Sequence, residues 1–375
     1  MPGNFIKHLS LPKARLWEQL EGKRKVFSFE LEITARCNNN CRHCYINLPA
    51  GDKKAKDKEI SLARIKSIID QAVELGALWC LITGGEPLLR KDFRDIYLYL
   101  KEKGLLVSVF TNATLIKPEH IALFKKYPPR DIEVTVYGLT KKTYESVARV
   151  PGSFKAFQRG LKLLLKNKIP VRFKVTVMRT NLKELGRISE FCRKNTKDYF
   201  RFDPLLHLRY DSNQKKNKVI ISERLSAEEI AFIERSDAQR KKKLTDHCQM
   251  FIHSEFEHIK CNHLLHCAAG MINFVVGFDG FFRLCSSLCH SQCVYDLKKG
   301  TLAQAWKEFV LKVRDRRSNS EEFLKKCRVC AIRELCIWCP AHAHLETGRM
   351  DGFVDYFCEV AHARAEHLKK PLPVS

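Results

Sequence analysis

Residues 35–45 read Ala35-Arg36-Cys37-Asn38-Asn39-Asn40-Cys41-Arg42-His43-Cys44-Tyr45, and the spacing of their three cysteines, C-x3-C-x2-C, decides how the rest of the chain is read. A four-iron cluster takes one thiolate at each iron, so a trio leaves one iron for a ligand that is not protein. Catalytic metal sites keep such a position open for water or substrate. On spacing alone, a zinc ion with a distant fourth ligand fits as well, as does a chance grouping in a cysteine-rich chain.

Working outward, residues 26–34 (VFSFELEIT) place Phe27, Phe29, Leu31 and Ile33 on one side and Ser28, Glu30, Glu32 and Thr34 on the other, the period of a strand. Ser61 caps a helical pattern that Gly76 closes. A second strand-like run at 78–83 leads into Gly84-Gly85-Glu86-Pro87. Glycines let a backbone approach a ligand closely, and a glutamate accepts hydrogen bonds from an ammonium group; by itself the segment also fits a plain turn. Further strand-like runs lie at 105–111, 131–137, 171–178 and 199–206, with helical runs at 92–103, 118–127, 153–167 and 182–194. Six strands alternating with helices predict parallel βαβ units. Right-handed crossovers wrap such units into a curved or closed barrel, whose active site lies at the carboxyl ends of the strands. Both motifs fall there. So do Thr111 and Asn112, Thr135 and Tyr137, and Lys174 and Asn181, as candidate ligands for a nucleoside.

The cysteine loop after the first strand and the GGEP segment after the second resemble the radical S-adenosylmethionine (SAM) superfamily. The resemblance implies an α/β fold, a partial (β/α)6 barrel. It implies that Cys37, Cys41 and Cys44 each ligate one iron of a 4Fe–4S cluster, and that the amino and carboxylate groups of SAM chelate the fourth. Gly84, Gly85, Glu86 and Pro87 would hold that amino group, with Asn112 and Thr135 as further cofactor contacts. Tyr45 matches an aromatic residue the family often carries. The family's fourth strand often ends in a pattern like I-S-L-D-G; here it reads Val134-Thr135-Val136-Tyr137-Gly138, so the hydroxyl is kept and tyrosine replaces the acid. The activity implied is reductive cleavage of SAM to a 5′-deoxyadenosyl radical, which takes hydrogen from a substrate.

From Cys248 onward lie eleven of the sixteen cysteines. Cys261 and Cys267 come first, Cys285 follows Gly280 in the hairpin-like FVVGFDGFFRLC, then Cys327-x2-Cys330-x5-Cys336-x2-Cys339 and Cys358. This order resembles the SPASM extension of radical SAM enzymes. The resemblance implies two auxiliary 4Fe–4S clusters, one on Cys261, Cys267, Cys285 and Cys339 and the other on Cys327, Cys330, Cys336 and Cys358. Only Ile337 and Trp338 separate the last pair of the central run, where the family often has three residues. Cys289 and Cys293 are substitute ligands or free thiols. On spacing alone, a zinc ribbon built from C-x2-C pairs also fits.

The 375 residues suffice for two domains or one large one, divided here as an extension (1–25), the barrel (26–206), a polar helical bridge (207–260, with 214–218 as an exposed loop) and the SPASM region (261–375). Apolar content of 45% and charged content of 29% fit a soluble globular protein. No signal peptide and no long uncharged apolar stretch is visible, which predicts a cytoplasmic protein without a membrane anchor. The net charge of +25 raises the question of a polyanionic partner. Its basic groups (Lys53–Lys58, Arg240–Lys243, Lys325–Lys326) are dispersed and lack interleaved aromatics, which disfavours nucleic acid. Near the end of the sixth strand Asp203, His207, Arg209 and Asp211 are candidates for proton transfer, or simply a salt-bridged loop. Proteins with this resemblance mostly modify peptides, so the expected partners are a peptide or protein substrate and an electron donor such as ferredoxin or flavodoxin. The alternatives are a small-metabolite substrate, or a non-catalytic metal-ribbon protein that binds nucleic acid.

Overall fold

The computed structural model describes residues 24–196, 200–252 and 262–369 of the chain; Cys261 lies outside the described residues. Six parallel strands form the centre: β1 (Ser28–Thr34), β2 (Trp79–Gly84), β3 (Leu106–Thr111), β4 (Asp131–Thr135), β5 (Val171–Thr176) and β6 (Arg201–Asp203). They lie side by side in chain order, as short right-handed crossovers dictate. Phe29, Leu31 and Ile33 of β1 are buried, as are Ile82, Val109, Val134 and Val175 on its neighbours. Against them pack helices such as Leu62–Glu74, started by the Ser61 side chain on the Arg64 N–H (3.2 Å) and burying Ile65, Ile68, Ile69 and Ala72.

The polar faces of the strands meet each other instead. Glu30 on β1 and Lys174 on β5 are four strand spacings apart, about 19 Å in a flat sheet. Yet the Lys174 ammonium lies near enough for its charge to be felt by the Glu30 carboxyl. The sheet therefore curls into a partial barrel, and its concave side carries Glu30, Glu32, Glu133, Lys174 and Asp203.

Three more strands continue the sheet: β7 (Asn273–Val276), β8 (Phe281–Arg283) and β9 (Val294–Asp296), in the order β9-β8-β7-β1. β7 runs parallel to β1, Ser28 facing Asn273 and Leu31 facing Val276. Phe274 stacks on Phe29 (5.5 Å) and on Phe282 (5.3 Å). On the opposite side, buried Glu32 pairs with buried Arg283. The expected hairpin is β7–β8, and it is joined to the barrel edge by backbone bonds.

The segment after β6 forms helices Gln214–Glu223, Ala227–Ser236 and Ala238–Ile252. The expectation of a loop at 214–218 is corrected: Asn213 accepts from the Lys216 N–H (3.0 Å) and starts a helix there. Lys215 and Lys218 stay solvated and Lys216 reaches the Asn47 carbonyl (3.4 Å), so no apolar period marks the turn. Helix Lys141–Ala148, capped by Thr140, was not expected either. Among the described residues no helix is long and apolar enough to cross a membrane.

Candidate active site

The two loop motifs are in backbone contact. Gly85 donates its N–H to the Thr34 carbonyl (2.6 Å) and Glu86 to the Arg36 carbonyl (2.9 Å). Gly84 has φ +129°, and a Cβ on it would sit 2.2 Å from the Thr34 oxygen; one on Gly85 would sit 2.2 Å from the Arg36 oxygen. Both glycines are thus required by the entry to the cysteine loop. Glu86 is fully buried. Its carboxylate accepts from the Thr111 hydroxyl (2.8 Å), the Asn112 N–H (2.8 Å) and the Leu88 N–H (3.3 Å). Burial pushes this carboxyl up to about 7, against the pull of those donors. A carboxylate offers about four acceptor positions, so one remains for a further N–H. Asn112 reaches back with its amide to Asn38 (3.0 Å) and to the Cys37 sulfur (3.8 Å).

The thiols are equipped for an anionic state. The Asn39 N–H points at Cys37 Sγ and the Asn47 N–H at Cys44 Sγ, each at 3.4 Å, and the neighbouring Tyr137 hydroxyl pulls the Cys41 thiol down. Donors aimed at sulfur favour thiolate. Burial acts the other way, raising Cys37 strongly and pushing Cys41 up to about 12. Protonated thiols under sulfur-directed donors suit a metal that displaces the protons on binding. Among the described residues no three His, Cys, Asp or Glu side chains converge as the ligands of a single ion would; an iron–sulfur cube, with one thiolate at each iron, needs a wider spread.

Residues 31–192 match the radical SAM superfamily, with the paired loops just described. This stretch is a radical SAM domain. The chain is 26% identical to an AdoMet-dependent heme synthase of Methanosarcina barkeri over 352 residues, 84% of this chain and 92% of that protein. In fold it resembles Streptococcus suis SuiB bound to precursor peptide SuiA (TM-score 0.64, 16% identity, 92% of this chain and 78% of that one). It also resembles anSMEcpe with bound AdoMet (TM-score 0.62, 14% identity, 91% and 93%).

At the mouth of the radical SAM barrel, His43 from the cysteine loop lies near Lys174 and Asp203, His207 after β6 near Lys174, and His342 from helix Pro340–Thr347 near Asp203 and His207. His207 and His342 stack face to face, centroids 3.6 Å apart and 15° from parallel. Burial, with the Arg224 cation nearby, pushes His207 down to about 4; burial and His207 push His342 down to about 3. Both are neutral at pH 7. The Nδ1 atoms of all three and Nε2 of His342 are shut from solvent without a hydrogen-bond partner. Sequence reasoning singled out only His207. His342, three residues after Cys339, gave no signal, because its neighbour lies 135 positions earlier in the chain.

Other candidates have defined partners. Thr135 ends β4 beside Lys174. Asn181 bonds the Tyr137 carbonyl (3.2 Å) and the Thr176 carbonyl (3.0 Å), tying strand ends together. Arg209 and Asp211 form an ion pair (2.7 Å).

In the carboxyl region burial raises the thiols of Cys327, Cys336 and Cys358, and Cys330 lies near enough to all three to raise them further. Cys285 and Cys339 are likewise coupled to Cys267. A cavity of about 950 Å³ is lined by Cys267, Cys339 and the whole first group. Cys289 instead receives an Arg283 N–H (2.9 Å), and Cys293 is buried against Met350 (3.8 Å).

Proposed function

We propose that Cys37, Cys41 and Cys44 hold the 4Fe–4S cluster of a radical SAM enzyme that takes hydrogen from a peptide or protein. When bound, the cluster and SAM supply a reductively generated 5′-deoxyadenosyl radical. The chain's part is positioning. The backbone contact between Gly84–Glu86 and the cysteine loop is the observation that carries the reading. It sets the free acceptor position of Glu86 next to the trio, where the amino group of SAM would bind, with Asn112 and Thr135 on the adjoining strand ends to meet the nucleoside. The neutral histidines and Lys174 would face the substrate at the barrel mouth. Cys267, Cys285 and Cys339, with Cys261, and the group Cys327, Cys330, Cys336 and Cys358 would hold two auxiliary 4Fe–4S clusters. Electrons would come from a small donor such as ferredoxin or flavodoxin.

Support for a peptide substrate is the likeness in fold to SuiB, solved with its precursor peptide. A second reading, a small-molecule substrate, is supported by the similarity to a heme synthase over 92% of that protein's length. Anaerobic reconstitution tests the enzyme: about twelve irons per chain, and 5′-deoxyadenosine from SAM and dithionite that Cys41→Ala abolishes. A colourless zinc protein making no deoxyadenosine would refute it. SAM consumption accelerated by peptides encoded beside the gene favours the first substrate class; acceleration by an iron porphyrin favours the second.

A further inference from the structure

The far side of the cysteine loop is gripped by the Arg209 guanidinium, with the Lys216 ammonium also on the Asn47 carbonyl (3.4 Å). Arg209 is 1% exposed, the largest side chain buried to that degree among the described residues. All five of its N–H donors are used. Two go to Asp211 (2.9 and 2.7 Å), one to the Cys44 carbonyl (2.9 Å), one to Asn47 Oδ1 (2.9 Å) and one to the Asn47 carbonyl (3.2 Å). Asn47, 4% exposed, passes the grip on. Its side chain donates to the Asn39 carbonyl (3.1 Å) and its backbone N–H to Cys44 Sγ (3.4 Å). Next along the chain, the Tyr210 N–H bonds the Tyr45 carbonyl (3.2 Å), with the two rings 4.8 Å apart.

We propose that Arg209, oriented by Asp211 and acting through Asn47, is a positioning residue that sets the geometry and the reduction potential of the N-terminal cluster. This rests on the reading that Cys37, Cys41 and Cys44 are its ligands. An N–H directed at a ligand sulfur and a fixed buried cation both favour the more negative, reduced cluster. Losing them moves the potential down. A lysine keeps the charge and loses the planar fork that spans Cys44, Asn47 and Asp211.

The test is redox titration of the anaerobically reconstituted full-length protein, followed by electron paramagnetic resonance, reading the reduced-cluster signal that changes when SAM is added. Arg209→Met is expected to shift that midpoint to more negative potential and to alter the g-values, with Arg209→Lys recovering part of the potential but not the g-values. Should Arg209→Met fail to take up iron, Asn47→Ser, which leaves the guanidinium in place, is expected to shift the midpoint in the same direction. Parent midpoint and g-values in every variant that loads iron would overturn the proposal, since an anchor important only for stability would lower the melting temperature and leave both untouched. The ligand reading fails separately: a SAM-responsive signal that survives Cys44→Ala refutes it whatever Arg209 does.

Discussion

Alanine at Gly85 would place a methyl carbon 2.2 Å from the Arg36 carbonyl oxygen, backbone against backbone with no flexible side chain to yield. Forced overpacking of this kind costs roughly 3 kcal/mol, and here the atoms that must move open the cysteine loop. Gly85→Ala is therefore expected to lose about four irons per chain, whereas Gly51→Ala, with open space around its Cβ position, keeps them; an iron assay decides. Glu30 makes a second residue-scale case. Burial and Glu32 raise its carboxyl to about 7 from 4.5, against Arg283 and Lys174. A raised acid keeps its proton in the folded state while the unfolded chain ionises. Its stabilising share is full below about 4.5 and is lost as the pH climbs to about 7, roughly 3 kcal/mol over that window. Glu30→Gln is expected to flatten the fall in unfolding free energy between those pH values; an unchanged slope in denaturant titrations would refute it. The cysteines, the paired glycines and Glu86 were legible because they sit in short contiguous motifs. Arg209 was noticed only as a polar residue near a strand end, since its partners Cys44 and Asn47 lie more than 160 positions away.

At the scale of elements, the barrel was legible because β1, β4 and β5 each keep one apolar and one polar face, as with buried Phe29, Leu31 and Ile33 against Glu30 and Glu32 on the concave side. Short polar elements were not. The turn at Gln214–Lys218 buries no apolar stripe, and helix Lys141–Ala148 is held by a Thr140 cap and by burial of Tyr144 and Val147. Nor does any local pattern announce that β7 pairs with β1 across more than 240 residues, since parallel pairing leaves no turn signal. That junction has an energetic consequence. Phe274 touches Phe29, Phe282 and Trp306 and is fully buried. Phe274→Ala removes a core aromatic at about 3–5 kcal/mol, a large part of a typical domain's 5–15 kcal/mol. Because the sheet is continuous, barrel and carboxyl region are expected to unfold in one transition, shifted down in the variant. Two separate transitions in the parent protein would contradict this.

Across the whole molecule, ten of the described cysteines fall in three places: Cys37, Cys41 and Cys44 in the loop after β1, the group Cys327, Cys330, Cys336 and Cys358, and Cys267, Cys285 and Cys339. Chain order interleaves the last two, so their separation is a product of folding; the helix after Cys339 sends His342 back to the barrel mouth against His207. Cys289 lies near Cys285, but its sulfur is taken by the Arg283 guanidinium that also pairs with Glu32. Iron content separates these roles. Cys358→Ala is expected to lower iron by about four per chain while leaving the SAM-responsive signal intact, since its group lies apart from the loop after β1. Cys289→Ala is expected to keep full iron and to lose roughly 1–3 kcal/mol of stability, because a buried guanidinium N–H loses its acceptor. If Cys289→Ala instead sheds four irons and Cys358→Ala none, the carboxyl region holds its metal on a different set of thiols from the one its folded geometry groups together.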